Sequence, residues 1–168
     1  MPSTSTKIAS LAMSAALVAA AGCGGGGGSK PATLTKAEVI KRGTVICKAA
    51  ERRAASLPGP TTDHPFAKSA PPAVQHRARQ WLTGMADALD ASRVSLLKLA
   101  APAQDRELLD GYLKDIGTVV TELRGASKAD GSKAEAQAQK AFALFERASR
   151  QTAAYGFPKG VCGAGDSN

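Results

Sequence analysis

Histidine is almost missing from this chain, with two among 168 residues, and tryptophan occurs once. Base-assisted nucleophilic hydrolysis requires a serine, threonine or cysteine beside a base and an orienting group. His64 stands in a proline-rich stretch and His76 near the start of an apolar stripe; neither belongs to a His-Glu-x-x-His motif, and no Gly-x-Ser-x-Gly or Walker-type loop occurs. These absences argue against an enzyme. Metal sites draw three or four ligands from His, Cys and carboxylates, and there is no Cys-x-x-Cys-His haem attachment, so neither a metal nor a cofactor is expected. Aromatic residues make up 4% of the chain, too few to stack bases, and nucleic acid is not an expected partner. No uncharged apolar run reaches the ~20 residues that cross a bilayer as a helix.

What is present starts at the N-terminus. One cation, Lys7, precedes an apolar segment from Ile8 to about Ala21, followed by small residues, which is the layout of a secretory signal. Leu17-Val18-Ala19-Ala20-Ala21-Gly22-Cys23 resembles the lipobox of bacterial lipoproteins, with Ala20 where leucine is usual. The resemblance implies cleavage between Gly22 and Cys23 and a thioether-linked diacylglycerol on Cys23. Two acyl chains hold a protein stably on a membrane where one does not. Gly24 to Gly28 with Ser29, Lys30 and Pro31 form a flexible tether that places the folded body on the order of 15 Å from the lipid. The expected organisation is a signal peptide over 1–22, lipidated Cys23 and linker over 23–34, a helical domain over 35–162 and a disordered tail over 163–168. The expected location is the extracytoplasmic side of the cell membrane.

With Cys23 lipidated, Cys47 and Cys162 remain, 115 positions apart. In an oxidising compartment two such cysteines pair, the alternative being two buried free thiols. The formal charge of +8 falls to +7 once Lys7 is removed with the leader. That balance suits an anionic neighbour such as phospholipid or a wall polymer.

The rest reads as helices. Thr35 and Glu38 have the spacing of a capping box, and Val39, Gly43, Ile46 and Ala50, with Ile40, Cys47 and Ala54 beside them, recur at helical intervals to about Ser56. The opposite side carries Lys41, Arg42, Lys48, Arg52 and Arg53, either a solvated helix face or a binding face for an anionic partner. Five prolines between Leu57 and Pro72 exclude regular structure and predict a long loop, functional or mobile, with His64 and Phe66 at its tip. Pro71 and Pro72 suit the start of a second helix, whose stripe runs through Val74, Ala78, Trp81, Met85, Ala88 or Leu89, Ser92, Leu96 and Leu99. A third is predicted from about Gln104 to Leu123, with Leu109, Tyr112, Ile116, Val119 and Leu123 inward and Asp105, Glu107, Asp110, Asp115 and Glu122 outward. Gly125 to Gly131 reads as a turn and Ser132 with Glu135 as a second capping box. The fourth helix presents Ala138, Ala141, Phe142, Phe145 and Ala148 and stops at Gly156 and Pro158.

No strand alternation intervenes, so the fold class is all-α, an antiparallel four-helix bundle. The Ile46-Cys47-Lys48 segment with its Arg-rich continuation, the proline-rich break, and the closing Tyr155-Gly156-Phe157 and Val161-Cys162 resemble the layout of small lipoproteins of high-GC Gram-positive bacteria. That resemblance implies no particular activity. The expected function is a non-catalytic interaction or structural module of the cell envelope, binding a protein or anionic polymer. The alternative is a small-molecule or lipid carrier using a slot between helices.

Overall fold

A computed structural model describes residues 33–163. The leader, Cys23 and the glycine tether lie outside these residues, as do the last five positions. The described residues form four α-helices and a single 3-10 turn, with no strand: α1 Lys36–Ala55, α2 Pro72–Leu97, the turn Ala103–Asp105, α3 Arg106–Lys128 and α4 Gly131–Tyr155. None is long and apolar enough to cross a membrane. Helices adjacent in sequence pack on one another, α1 on α2, α2 on α3 and, most extensively, α3 on α4.

Local chemistry accounts for the ends of α1. The Thr35 hydroxyl accepts from the Glu38 amide at 3.3 Å while the Glu38 carboxylate accepts from the Thr35 amide at 2.8 Å, the reciprocal pair of a capping box. Hydrogen bonds donated to it by the Thr35 amide and the Thr35 hydroxyl hold the Glu38 carboxyl below its usual range. Just upstream, the Leu34 amide donates to the Ala100 carbonyl at 2.8 Å, and the Leu34 side chain packs on the core. Pro71 and Pro72 open α2 as anticipated.

Alanine sets the spacing of the core. Ala86, Ala126, Ala134, Ala141 and Ala148 are all completely buried; the last three recur every seven residues along α4, whose broadest contact is with α3. Side chains this small let helix backbones approach closely and exclude water with little rotamer entropy lost. Larger residues fill the remaining volume: Leu82, Ile116, Val119, Leu123 and Tyr155. Gly156, in the left-handed conformation at φ 104°, ends α4, and the Phe157 amide turns back to the Thr152 carbonyl at 3.1 Å. Phe157 then packs its ring where a Cβ on Gly43 would stand, 2.7 Å away.

Five expectations are corrected. Helix α3 continues through Gly125 to Lys128, with the Gln137 side-chain amide 2.7 Å from where a Cβ on Gly125 would stand. The α3–α4 connection is thus only Ala129 and Asp130, and the Ser132–Glu135 box does not form. Asp115 lies inward, 9% exposed, receiving two hydrogen bonds from the Arg147 guanidinium and one from Gln151. Phe142, expected inward, is 40% exposed and leans on Trp81, whereas Phe66, expected at a loop tip, is buried.

Candidate functional site

The helices bring the sequence-derived residues to two places, and a third emerges from the packing. Cys47, on the buried side of α1, is bonded to Cys162 across a Cα–Cα distance of 5.0 Å, within the range disulfides favour. The free-thiol alternative is set aside. The Cys162 amide donates to Glu51 at 3.1 Å and its carbonyl accepts from the Thr152 hydroxyl at 3.4 Å, so the tail is held on α1 and α4 together. Beside the disulfide lies an apolar slot of about 140 Å³ lined by Met85, Leu89, Tyr112 and Phe145.

Lys41, Arg42, Lys48, Arg52 and Arg53 are all exposed, and none makes an ion pair among the described residues. At ~100° per residue, Lys41, Lys48 and Arg52 fall in one row and Arg42 and Arg53 in another. Val45, 66% exposed, and Ala49 lie between them. Elsewhere the pattern is mixed: among the described residues Arg77, Lys98, Arg106, Lys114 and Arg150 are likewise exposed without an ion pair, but other cations are engaged. Arg124 bridges Asp87 and Asp90, Lys140 holds Glu122 at 2.6 Å, and Arg147 holds Asp115. Asp87, Asp90, Asp115 and Glu122 are thus met by cations from neighbouring helices, Glu107 and Asp110 on α3 are not among the described residues, and the α1 face keeps its charge for solvent or a partner.

The third place is a cleft of about 440 Å³ between the proline-rich loop, α2 and α4. Phe66, Ala78 and Leu82 are its buried apolar residues; Trp81 and Phe142 stand at one side with ring centroids 6.0 Å apart and planes at 37°. Asp63, His64, Glu135 and Gln139 supply polar groups. The Oε1 atom of Glu135 is buried without a hydrogen bond; His64 Nδ1 is 3.8 Å from it, beyond hydrogen-bonding reach. Sequence reading had placed Trp81 in the core, His64 at a loop tip and Glu135 in a cap. The readable signal was the run Glu135, Gln139, Phe142 at spacings of four and three, which puts polar and aromatic groups on one face of α4.

Other arrangements are structural. Ser95 and Lys98 have the Ser-x-x-Lys spacing, yet the Ser95 hydroxyl donates to the Ala91 carbonyl at 2.8 Å and Lys98 is the exposed C-cap of α2. The Tyr155 hydroxyl donates to Asp105 at 3.2 Å, and burial together with that bond pushes its pKa up to about 12. No group of three or more His, Cys, Asp or Glu among the described residues converges on a metal position. No protein-family model, curated protein sequence or solved structure matches the chain.

Proposed function

We propose that this protein is a membrane-anchored extracytoplasmic lipoprotein, of the kind found in high-GC Gram-positive bacteria, whose body is an antiparallel four-helix bundle serving as a non-catalytic interaction module. In this reading Cys23 carries the lipid, and the basic face of α1 engages an envelope protein or an anionic polymer. The observation that carries it is the concentration of five exposed cations, none in an ion pair among the described residues, on one side of the single helix α1. The Cys47–Cys162 bond supports an oxidising compartment. For the alternative, a small-molecule or lipid carrier, the apolar slot beside the disulfide, at about 140 Å³, is below the ~300 Å³ at which ligand pockets usually begin, whereas the cleft beneath the proline-rich loop, at about 440 Å³, is above it.

Crosslinking and pull-down from intact envelopes tests the reading, comparing wild type with a variant in which Lys41, Arg42, Lys48, Arg52 and Arg53 are all changed to Glu, and with Cys23→Ser. The charge reversal is expected to lose the captured partner while keeping its helical circular dichroism, and Cys23→Ser to leave the membrane fraction. A catch unchanged by the reversal would return the face to solvent. A Cys23→Ser chain that stays with membranes at mature mass would refute the anchor.

A further inference from the structure

The cleft beneath the proline-rich loop has a composition that sets it apart from the rest of a chain of net charge +8. Its lining includes two carboxylates, Asp63 and Glu135, and no lysine or arginine. The nearest guanidinium, Arg79, is already committed, stacked 5.8 Å from the centre of the Phe66 ring and bonded to Asp130. Glu135 is held in the second turn of α4 with Oε1 buried and no donor. A buried carboxylate oxygen without a hydrogen bond is a costly arrangement that a matching donor relieves. The His64 imidazole, 77% exposed at its side chain, stops at 3.8 Å, and no other donor of the cleft bonds this oxygen. Alongside Glu135, the tilted rings of Trp81 and Phe142 form an open corner. Aromatic faces attract cations through their quadrupole, tryptophan most strongly.

We propose that this cleft is a binding site for a small organic cation bearing a primary alkylammonium group, whose N–H donors meet the Glu135 carboxylate and whose charge and first methylenes lie against Trp81 and Phe142. Volume agrees, since about 440 Å³ falls within the range of pockets that hold small molecules. The site is independent of the basic face of α1, and it stands or falls separately from the envelope-module reading.

The chain reports on the site directly, because Trp81 is its only tryptophan. Titrating the purified protein with n-butylammonium chloride at constant ionic strength is expected to change Trp81 fluorescence saturably, with n-butanol and tetramethylammonium binding more weakly. Glu135→Gln preserves size and removes the charge. It is expected to weaken n-butylammonium by about tenfold to a hundredfold, the range of a charge-assisted hydrogen bond. Phe142→Leu should weaken both cations. Isothermal titration with the same probes covers a ligand that binds without altering the indole emission. The proposal is overturned if n-butanol binds as well as its amine counterpart, if Glu135→Gln changes nothing, or if neither method finds saturable binding. Equal binding of tetramethylammonium overturns the assignment of Glu135 as the hydrogen-bond acceptor.

Discussion

Breaking the Cys47–Cys162 bond opens a loop of 115 positions, and the chain-entropy relation puts its contribution at about 4.8 kcal/mol at 25 °C. Two features of the tail adjust that figure. Cys162 sits at φ 56°, a left-handed conformation costing a residue with a Cβ about 1–2 kcal/mol, and release of the bond lets part of this strain relax. In the other direction, Phe157 and Val161 are buried, and the Cys162 amide and carbonyl are bonded to Glu51 and Thr152, so the tail stays docked. The opened chain is therefore expected to remain folded and to lose about 3–4 kcal/mol. Urea unfolding followed in parallel by Trp81 fluorescence and far-UV circular dichroism, with and without reductant, measures the difference provided both probes coincide. The alanine pair Cys47→Ala with Cys162→Ala should reproduce the reduced value. Pairing Cys47→Ala with Cys162→Gly should recover about 1 kcal/mol of it, since glycine enters the left-handed region freely. A loss under about 1 kcal/mol would refute the reasoning, because the unfolded ensemble would then gain little freedom from the open loop. No difference between alanine and glycine at position 162 would refute the strain term.

Two further predictions rest on the glycines and the tyrosines. Gly43→Ala is expected to destabilise by about 1–3 kcal/mol despite its better helix propensity, because the new methyl meets the buried Phe157 ring at 2.7 Å. Gly117→Ala meets only Arg93 side-chain atoms, none nearer than 3.8 Å, and should stabilise by up to about 1 kcal/mol; chemical denaturation of the two variants decides, and matching signs would contradict the packing. Burial raises the Tyr112 pKa well above its usual value, and burial with the Asp105 bond takes Tyr155 to about 12. Unfolded tyrosines lose their protons near pH 10, so above that pH the folded chain binds more protons than the unfolded one. Stability is then complete below pH 10 and falls by roughly 1.4 kcal/mol per pH unit for each tyrosine as pH rises beyond it. Urea midpoints at pH 9, 10 and 11 test this. Tyr155→Phe should flatten the fall, and a midpoint constant to pH 11 would rule it out.

Helix ends written in nearest neighbours were legible. Thr35 with Glu38, Pro71 with Pro72, and Gly156 all act where the sequence places them, because caps and stops depend on atoms within about four residues. Position 125 shows the limit. Glycine there reads as a turn, yet it is a contact residue whose lost Cβ makes room for Gln137 of the next helix. Likewise the period of α3 places Asp115 among the outward acids, and nothing local reveals that Arg147 and Gln151 lie across from it.

The candidate sites divide in the same way. By itself, the sequence determined that the described residues are helical, that five cations share the exposed side of α1, and that Cys47 and Cys162 can pair; composition, spacing and period contain these facts. Only the tertiary structure decided that Phe66 leaves the proline-rich loop for the core, that Glu135 faces a cleft instead of capping its helix, and that Trp81 and Phe142 meet at 6.0 Å. Periodicity states which face of a helix turns inward, not which residues stand opposite. Those partners are chosen when distant segments bury their apolar surface together, and the cleft exists because three such segments meet around it.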